Sequence, residues 1–150
     1  MNSQDNYIRS NSLVDISFRI SGKTRVLTEK ILSRQKIDRQ KYGQLLLNEL
    51  SLCQDITTAK LKLSESLQWH KTKNGRLIFK QYGYYRPKSH YIYISNRTAI
   101  QGKIISPLTF LNTLIHEWMH HFDFEKLKLH SIHTKGFYLR LSSLKERLGN

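Results

Sequence analysis

One hundred and fifty residues suffice for one domain with one buried core, and two domains would each be too small to stand comfortably. Apolar residues at 39% and aromatic residues at 11% exclude a disordered chain, and no run of about eighteen apolar residues offers a membrane span. A single cysteine, Cys53, excludes an intrachain disulfide and a cysteine-rich zinc ribbon. Against 11 Asp and Glu stand 25 Lys and Arg, and the resulting formal charge of +14 points to a polyanionic partner or to a solvated basic face.

In chain order, residues 1–12 are polar and lack the apolar stretch of a signal peptide; they read as a frayed tail, with residues 13–150 as one domain. The polar start and the lone cysteine give a cytoplasmic location as the expectation. Residues 13–25 are ambiguous, with Val14, Ile16 and Phe18 alternating as in a short extended piece. From about Val26 to Asp55 the pattern is helical, as one helix or as two joined near Ile37–Gly43.

Residues 59–95 predict a three-stranded antiparallel meander. LKLSESLQWH alternates, Lys73-Asn74-Gly75 signals a hairpin, RLIFKQYGYY follows, Arg86-Pro87-Lys88 turns, and HYIYIS closes. Ile92 and Ile94 share one face of the last strand, and Tyr91 and Tyr93 the other. Such a sheet needs a helix on its apolar face. Between Lys60 and Lys103 stand ten basic residues and one acid, Glu65, interleaved with Trp69, Phe79, Tyr82, Tyr84, Tyr85, Tyr91 and Tyr93. Read as function, this is a surface for DNA, with single strands favoured if bases stack on the tyrosines. Read otherwise, it is ordinary strand composition and a soluble face.

Ser106-Pro107 opens a helix: Ser caps the free amides and Pro suits the first turn. Leu111, Leu114, Ile115, Trp118 and Phe122 form its core stripe. A connection around Lys126–Ser131 leads to a last helix from about His133 to Leu148, with Phe137, Leu141 and Leu144 inward and Gly149 ending it.

The chemistry lies in His116-Glu117-Trp118-Met119-His120. Histidines four apart on a helix stand on one face and can hold one metal ion together. Glu117, one residue round, is placed to take a proton from water instead of ligating. Zinc is the expected ion, because it takes nitrogen donors tetrahedrally and leaves one position for water. A metzincin would place its third histidine at position 126, which is Lys126 here. The third ligand is then His133, which opens a rigid helix, with His130 as the alternative; Glu146 is a further candidate, set between Lys145 and Arg147. Asp123 either orients a ligand imidazole from behind or forms a surface ion pair. His121 reads as exposed or partly packed, and His70 and His90 have no partner in sequence.

His116-Glu-Trp-Met-His120 followed by His133-Thr-Lys-Gly-Phe137 resembles the SprT-like zinc metallopeptidases, over about residues 25–148. The Tyr-rich segment ending in His90-Tyr-Ile-Tyr-Ile-Ser95 is similar to that family's sheet. The resemblance implies an α+β, zincin-like fold: N-terminal helix or helices, meander, catalytic helix and C-terminal helix. It also implies His116, His120 and His133 as zinc ligands, Glu117 as catalytic base, and a protein or peptide substrate, in some members crosslinked to DNA. Two departures stand out. Thr134 follows His133 where the family often has Gly, and the Cys-rich tail of many members is missing. The competing expectation is a basic nucleic-acid-binding module with a structural or inactive zinc site. Glu117 argues against it, since a structural site closes with a fourth ligand and has no use for a base.

Overall fold

Every helix among the described residues begins at a side-chain cap. In a computed structural model, which describes residues 2–73 and 76–149 (only the backbone for 69–72 and 76–81), Asn2 accepts from the Asp5 amide to open α1, Ser3–Ser12. Ser21 caps α2, Gly22–Leu32, and Asp38 caps α3, Arg39–Cys53. Ser106 accepts from Thr109 N and Pro107 takes the first turn of α4, Pro107–Glu125. Thr134 accepts from Phe137 N and opens α5, Lys135–Arg147. Each cap satisfies an amide that the helix itself cannot. The helical pattern from Val26 onward therefore resolves into two helices, broken at 33–38 just before the Asp38 cap.

The expected tail is instead a helix. The apolar residues of α1, Tyr7 and Ile8, are exposed, whereas the polar Asn6 and Ser10 are buried, because the helix docks through hydrogen bonds and not through apolar area.

The expected antiparallel meander is also corrected. β1 (Lys60–Leu67) runs parallel to β5 (Tyr91–Arg97), and β4 (Gly83–Arg86) pairs antiparallel with the other side of β5. The result is a small mixed sheet of order β1-β5-β4. β2 (Trp69–Lys73) and β3 (Arg76–Gln81) form a separate antiparallel hairpin. Strand alternation is identical for parallel and antiparallel partners, so it cannot decide between them; the inserted hairpin supplies the crossover that a parallel pair requires. The turn residues Asn74 and Gly75 lie outside the described residues.

The fold class is thus α+β, with five helices and one three-stranded mixed sheet among the described residues. α4 runs through the middle, against the sheet and against α2, α3 and α5. Phe110, Leu111, Leu114, Ile115, Trp118 and Phe122 are all buried. Trp118 donates its indole N–H to Ser51 at 3.0 Å, so the largest core side chain leaves no orphan donor. None of the described helices is long and apolar enough to cross a membrane.

Candidate metal centre

α4 carries His116 and His120 one turn apart, and the chain after it loops back so that His133, just ahead of the α5 cap, meets them. His133 Nε2 lies 3.0 Å from Nε2 of His116 and 3.0 Å from Nε2 of His120. The three ligand atoms all lie within 4.8 Å of one another, close enough to hold one metal ion. Phe137 backs the site, its ring stacked on His120 with centroids 4.5 Å apart.

The donor set fits a cation. The His133 Nε2 position carries at most one hydrogen, so it cannot donate well to both neighbours, whereas a cation satisfies all three lone pairs at once. Zinc–nitrogen bonds of about 2.0–2.1 Å in tetrahedral geometry need nitrogens about 3.4 Å apart, close to the spacing observed. The rings are also held neutral. Burial, then the neighbouring His133 and Lys145, push His116 down to about 4. Burial, then His116 and His133, push His120 down to about 3.

A chain of hydrogen bonds sets the tautomer of His120. Its Nδ1 lies 2.7 Å from Ser131 Oγ, and that hydroxyl donates to Asp123 Oδ2 at 2.9 Å. With its proton committed to Asp123, Ser131 accepts from His120 Nδ1–H, which leaves Nε2 bare toward the centre. Asp123 thus acts on the imidazole through Ser131, not directly, and it is fully buried, not a surface residue. Burial pushes its carboxyl up, and Arg140 and Ser131 pull it back. Arg140 is itself fully buried and spends all five N–H donors: Nε and Nη2 on the two Asp123 oxygens at 2.9 Å each, Nη2 also on Ser10 Oγ, and Nη1 on the Ser10 and Leu13 carbonyls. A guanidinium stays cationic in proteins, so its carboxylate partner stays ionised.

α1 holds the other side of this assembly. Asn6 exchanges two hydrogen bonds with the His130 backbone, at 2.8 and 2.9 Å. Ser10 Oγ lies 2.6 Å from Thr134 Oγ1, the α5 cap, and Asn11 accepts from Gly136 N. A Cβ at position 136 would collide with the Ser10 carbonyl, so glycine is required where α1 crosses α5. The ligand-bearing loop is therefore pinned by the twelve residues that read as a tail. Ser131, Arg140, Asn6 and Ser10 all escaped sequence reading. Only Arg140 left a signal, as a charge in register with the core stripe Phe137, Leu141 and Leu144.

No family model, curated protein or solved structure matches the chain. The site is therefore read from its own geometry. His130 is exposed and turned to a cavity wall, outside the three-histidine cluster, and Glu146 is exposed near the end of α5. His90 pairs with Glu125 at 2.6 Å, while the His70 side chain lies outside the described ones. His121 is fully buried, correcting the expectation of an exposed or partly packed ring. Its Nε2 faces the Thr57 carbonyl at 2.6 Å and must donate there, so its Nδ1 accepts from the Tyr85 hydroxyl at 2.7 Å. Tyr85 thus has no proton to spare for a substrate oxygen.

Glu117 is 7% exposed, and burial pushes its carboxyl up to about 8. It lines a cavity of about 600 Å³ with His120, His133, Tyr84 and Tyr85, and Phe124 and Ile132 also line it. These shifts give the metal-free protein a definite stability profile. His116 and His120 titrate below their ordinary 6.5, so the unfolded chain binds more protons there, and stability falls as pH drops from about 6.5 toward 4. Glu117 titrates above its ordinary 4.5, so the folded chain binds more, and stability falls as pH rises from 4.5 to about 8. Burial pushes the His121 ring down as well, so the histidines outweigh the one carboxyl below about pH 6.5 and the carboxyl dominates well above it. Thermal melts of the chelated protein are expected to peak near about pH 6.5, and Glu117→Gln is expected to flatten the alkaline side. A melting temperature that climbs steadily from pH 6.5 to 8 would overturn the Glu117 assignment.

Proposed function

We propose that the chain is a zinc-dependent peptidase that hydrolyses peptide bonds with Glu117 as general base. One observation carries this: a buried carboxyl, Glu117, lines an open cavity together with His120 and His133, two of the three converging imidazoles. His116, His120 and His133 would hold the ion through Nε2. Bound zinc supplies a Lewis acid that lowers the pKa of water to about 7 and polarises a carbonyl. With an ion held by the three histidines, Glu117 would be favoured as the carboxylate, against the effect of its burial. Glu117 then takes a proton from the attacking water and delivers it to the leaving amine.

The cavity suits a chain-like substrate. Among the described residues β4 is an edge strand of the sheet, and its residues Gly83, Tyr84 and Tyr85 line the cavity beside Glu117 and His120. An extended peptide can pair with such an edge. The order of the parts, from the helix bearing two histidines to a third just ahead of the next helix, supports the likeness to SprT-like zinc metallopeptidases and a zincin-like reading of the fold. Thr134, which departs from the family pattern, serves as the α5 cap, and Gly136 makes room for α1.

The test begins with the metal. Protein purified without chelator is expected to carry about one zinc per chain by elemental analysis. His133→Ala should lose it and His130→Ala should keep it. The zinc-loaded chain should cleave an unfolded protein substrate, chelation should stop the cleavage, and added zinc should restore it. Stoichiometric zinc without cleavage of any protein, with or without DNA, would turn the conclusion toward a binding module with a structural ion.

A further inference from the structure

The sheet has a second face that the metal centre does not use. Leu61, Leu63, Ile92, Ile94 and Tyr85 point inward and join the core with α3 and α4. The alternate residues point out. Register puts Lys60, Tyr91 and Arg86 in one cross-strand row, and Lys62, Tyr93 and Tyr84 in the next. Tyr84 and Tyr93 stack with centroids 4.8 Å apart and planes at 19°, and Tyr91 follows 5.6 Å from Tyr93. The Arg86 guanidinium sits 5.4 Å from one of the stacked rings and 5.5 Å from the other, and Lys60 lies 5.7 Å from the Tyr91 ring. None of these three strands carries an acid on its outer rows. Among the described residues no carboxylate pairs with Lys60, Lys62 or Arg86. A groove of about 230 Å³ runs beside Tyr84 and Tyr93 and presents the hydroxyl side chains Ser64, Ser66 and Ser95.

We propose that this outer face binds single-stranded nucleic acid, with bases stacking on Tyr84, Tyr91 and Tyr93 and phosphates pairing with Lys60, Lys62 and Arg86. The chemistry selects the partner. Unpaired cations on a chain of net charge +14 call for a polyanion. An acidic protein would use the cations but has little use for a ladder of aromatic faces. A membrane would need aliphatic side chains to insert, and β4 and β5 present none outward. Unpaired bases use both the charges and the rings, whereas duplex bases are already stacked on each other. The rings are preorganised by contacts with one another and with Arg86, so little side-chain freedom is lost on binding. This face meets the cavity of the metal centre at Gly83 and Tyr84, which border both that cavity and this groove, so Tyr93, Lys62 and Arg86 are the residues that test it.

The experiment is a fluorescence-anisotropy titration of the full chain with a labelled oligothymidylate. Parallel titrations use an abasic phosphodeoxyribose chain of equal length, a duplex, and polyglutamate as competitor. The oligothymidylate is expected to bind at least about tenfold more tightly than the abasic chain, because each stacked base adds to affinity. Tyr93→Ala should weaken binding by about tenfold, and Tyr93→Phe, which keeps the ring, should restore it. Lys62→Glu with Arg86→Glu should weaken binding and reduce the log–log salt slope by about 0.7 for each lost phosphate contact. Glu117→Gln should bind as the native chain does. Zinc content and melting temperature accompany every variant and identify one that has failed to fold. Equal affinity for the abasic chain or the duplex would overturn base stacking. A folded Tyr93→Ala with unchanged affinity would overturn the location. Polyglutamate competing on equal terms would make the face a site for acidic proteins.

Discussion

Glu117→Gln is expected to retain zinc as the native chain does and to hydrolyse protein at least about a hundredfold more slowly. The amide has nearly the shape of the carboxyl, so the three histidines, their spacing and the cavity stay as they are. What disappears is a group that can accept a proton at neutral pH and return it. The burial that pushes the Glu117 carboxyl up to about 8 without metal makes the contrast sharp. A neutral amide suits that buried position, so the variant should be at least as stable as the native protein when chelated, and the loss of rate will not reflect unfolding. The measurement is zinc content, melting temperature and single-turnover cleavage on the same preparation. Native-level turnover in zinc-loaded Glu117→Gln would remove Glu117 from the chemistry and with it the main reason for preferring an enzyme. Loss of zinc together with loss of rate would assign Glu117 to the support of the site instead.

α4, which carries His116 and His120, was legible in the sequence because its signals are local. Ser106 and Pro107 mark its start, the apolar stripe marks its buried side, and His116 and His120 need only helical spacing to stand together. His133 was legible as a candidate because it precedes a second amphipathic helix, although only the folded chain separates it from His130. The rest depends on distant partners. α1 buries Asn6 and Ser10 instead of an apolar stripe, so hydrophobic patterning is blind to it; the one available signal was the Asn2 cap with Asp5 in the first turn. The parallel pairing of β1 with β5 leaves no trace in strand alternation. His121 follows His120 on the same helix, yet its burial is set by Thr57 and Tyr85, which are 64 and 36 residues away. Arg140 was the readable exception: a charge in the core stripe of α5 must find a buried partner, and Asp123, already in view, is that partner.

That pair gives the largest expected effect on stability. Asp123→Ala leaves the Arg140 guanidinium at 0% exposure with no counter-charge, and such a loss typically destabilises by about 3–5 kcal/mol. For a domain of this size that is a large part of the whole. The same substitution frees the Ser131 hydroxyl, which then no longer has to accept from His120, so the tautomer that bares Nε2 is no longer enforced. Ser131→Ala separates the two effects. It breaks the link to His120 but leaves the twin Arg140–Asp123 hydrogen bonds in place, so stability should fall by only about 1 kcal/mol. Zinc affinity, measured by competition with a chromogenic chelator, should fall by about 10- to 100-fold, as removal of a group that orients a ligand imidazole usually produces. Arg140→Lys should behave more like Asp123→Ala than like a conservative change, because three donors on a flexible stem cannot replace five in a planar fork that reaches Ser10, Leu13 and Asp123 together. If Ser131→Ala binds zinc with native affinity, the relay from Asp123 to His120 has no role in the metal centre, and the buried pair serves only to dock α1 and α5 onto α4.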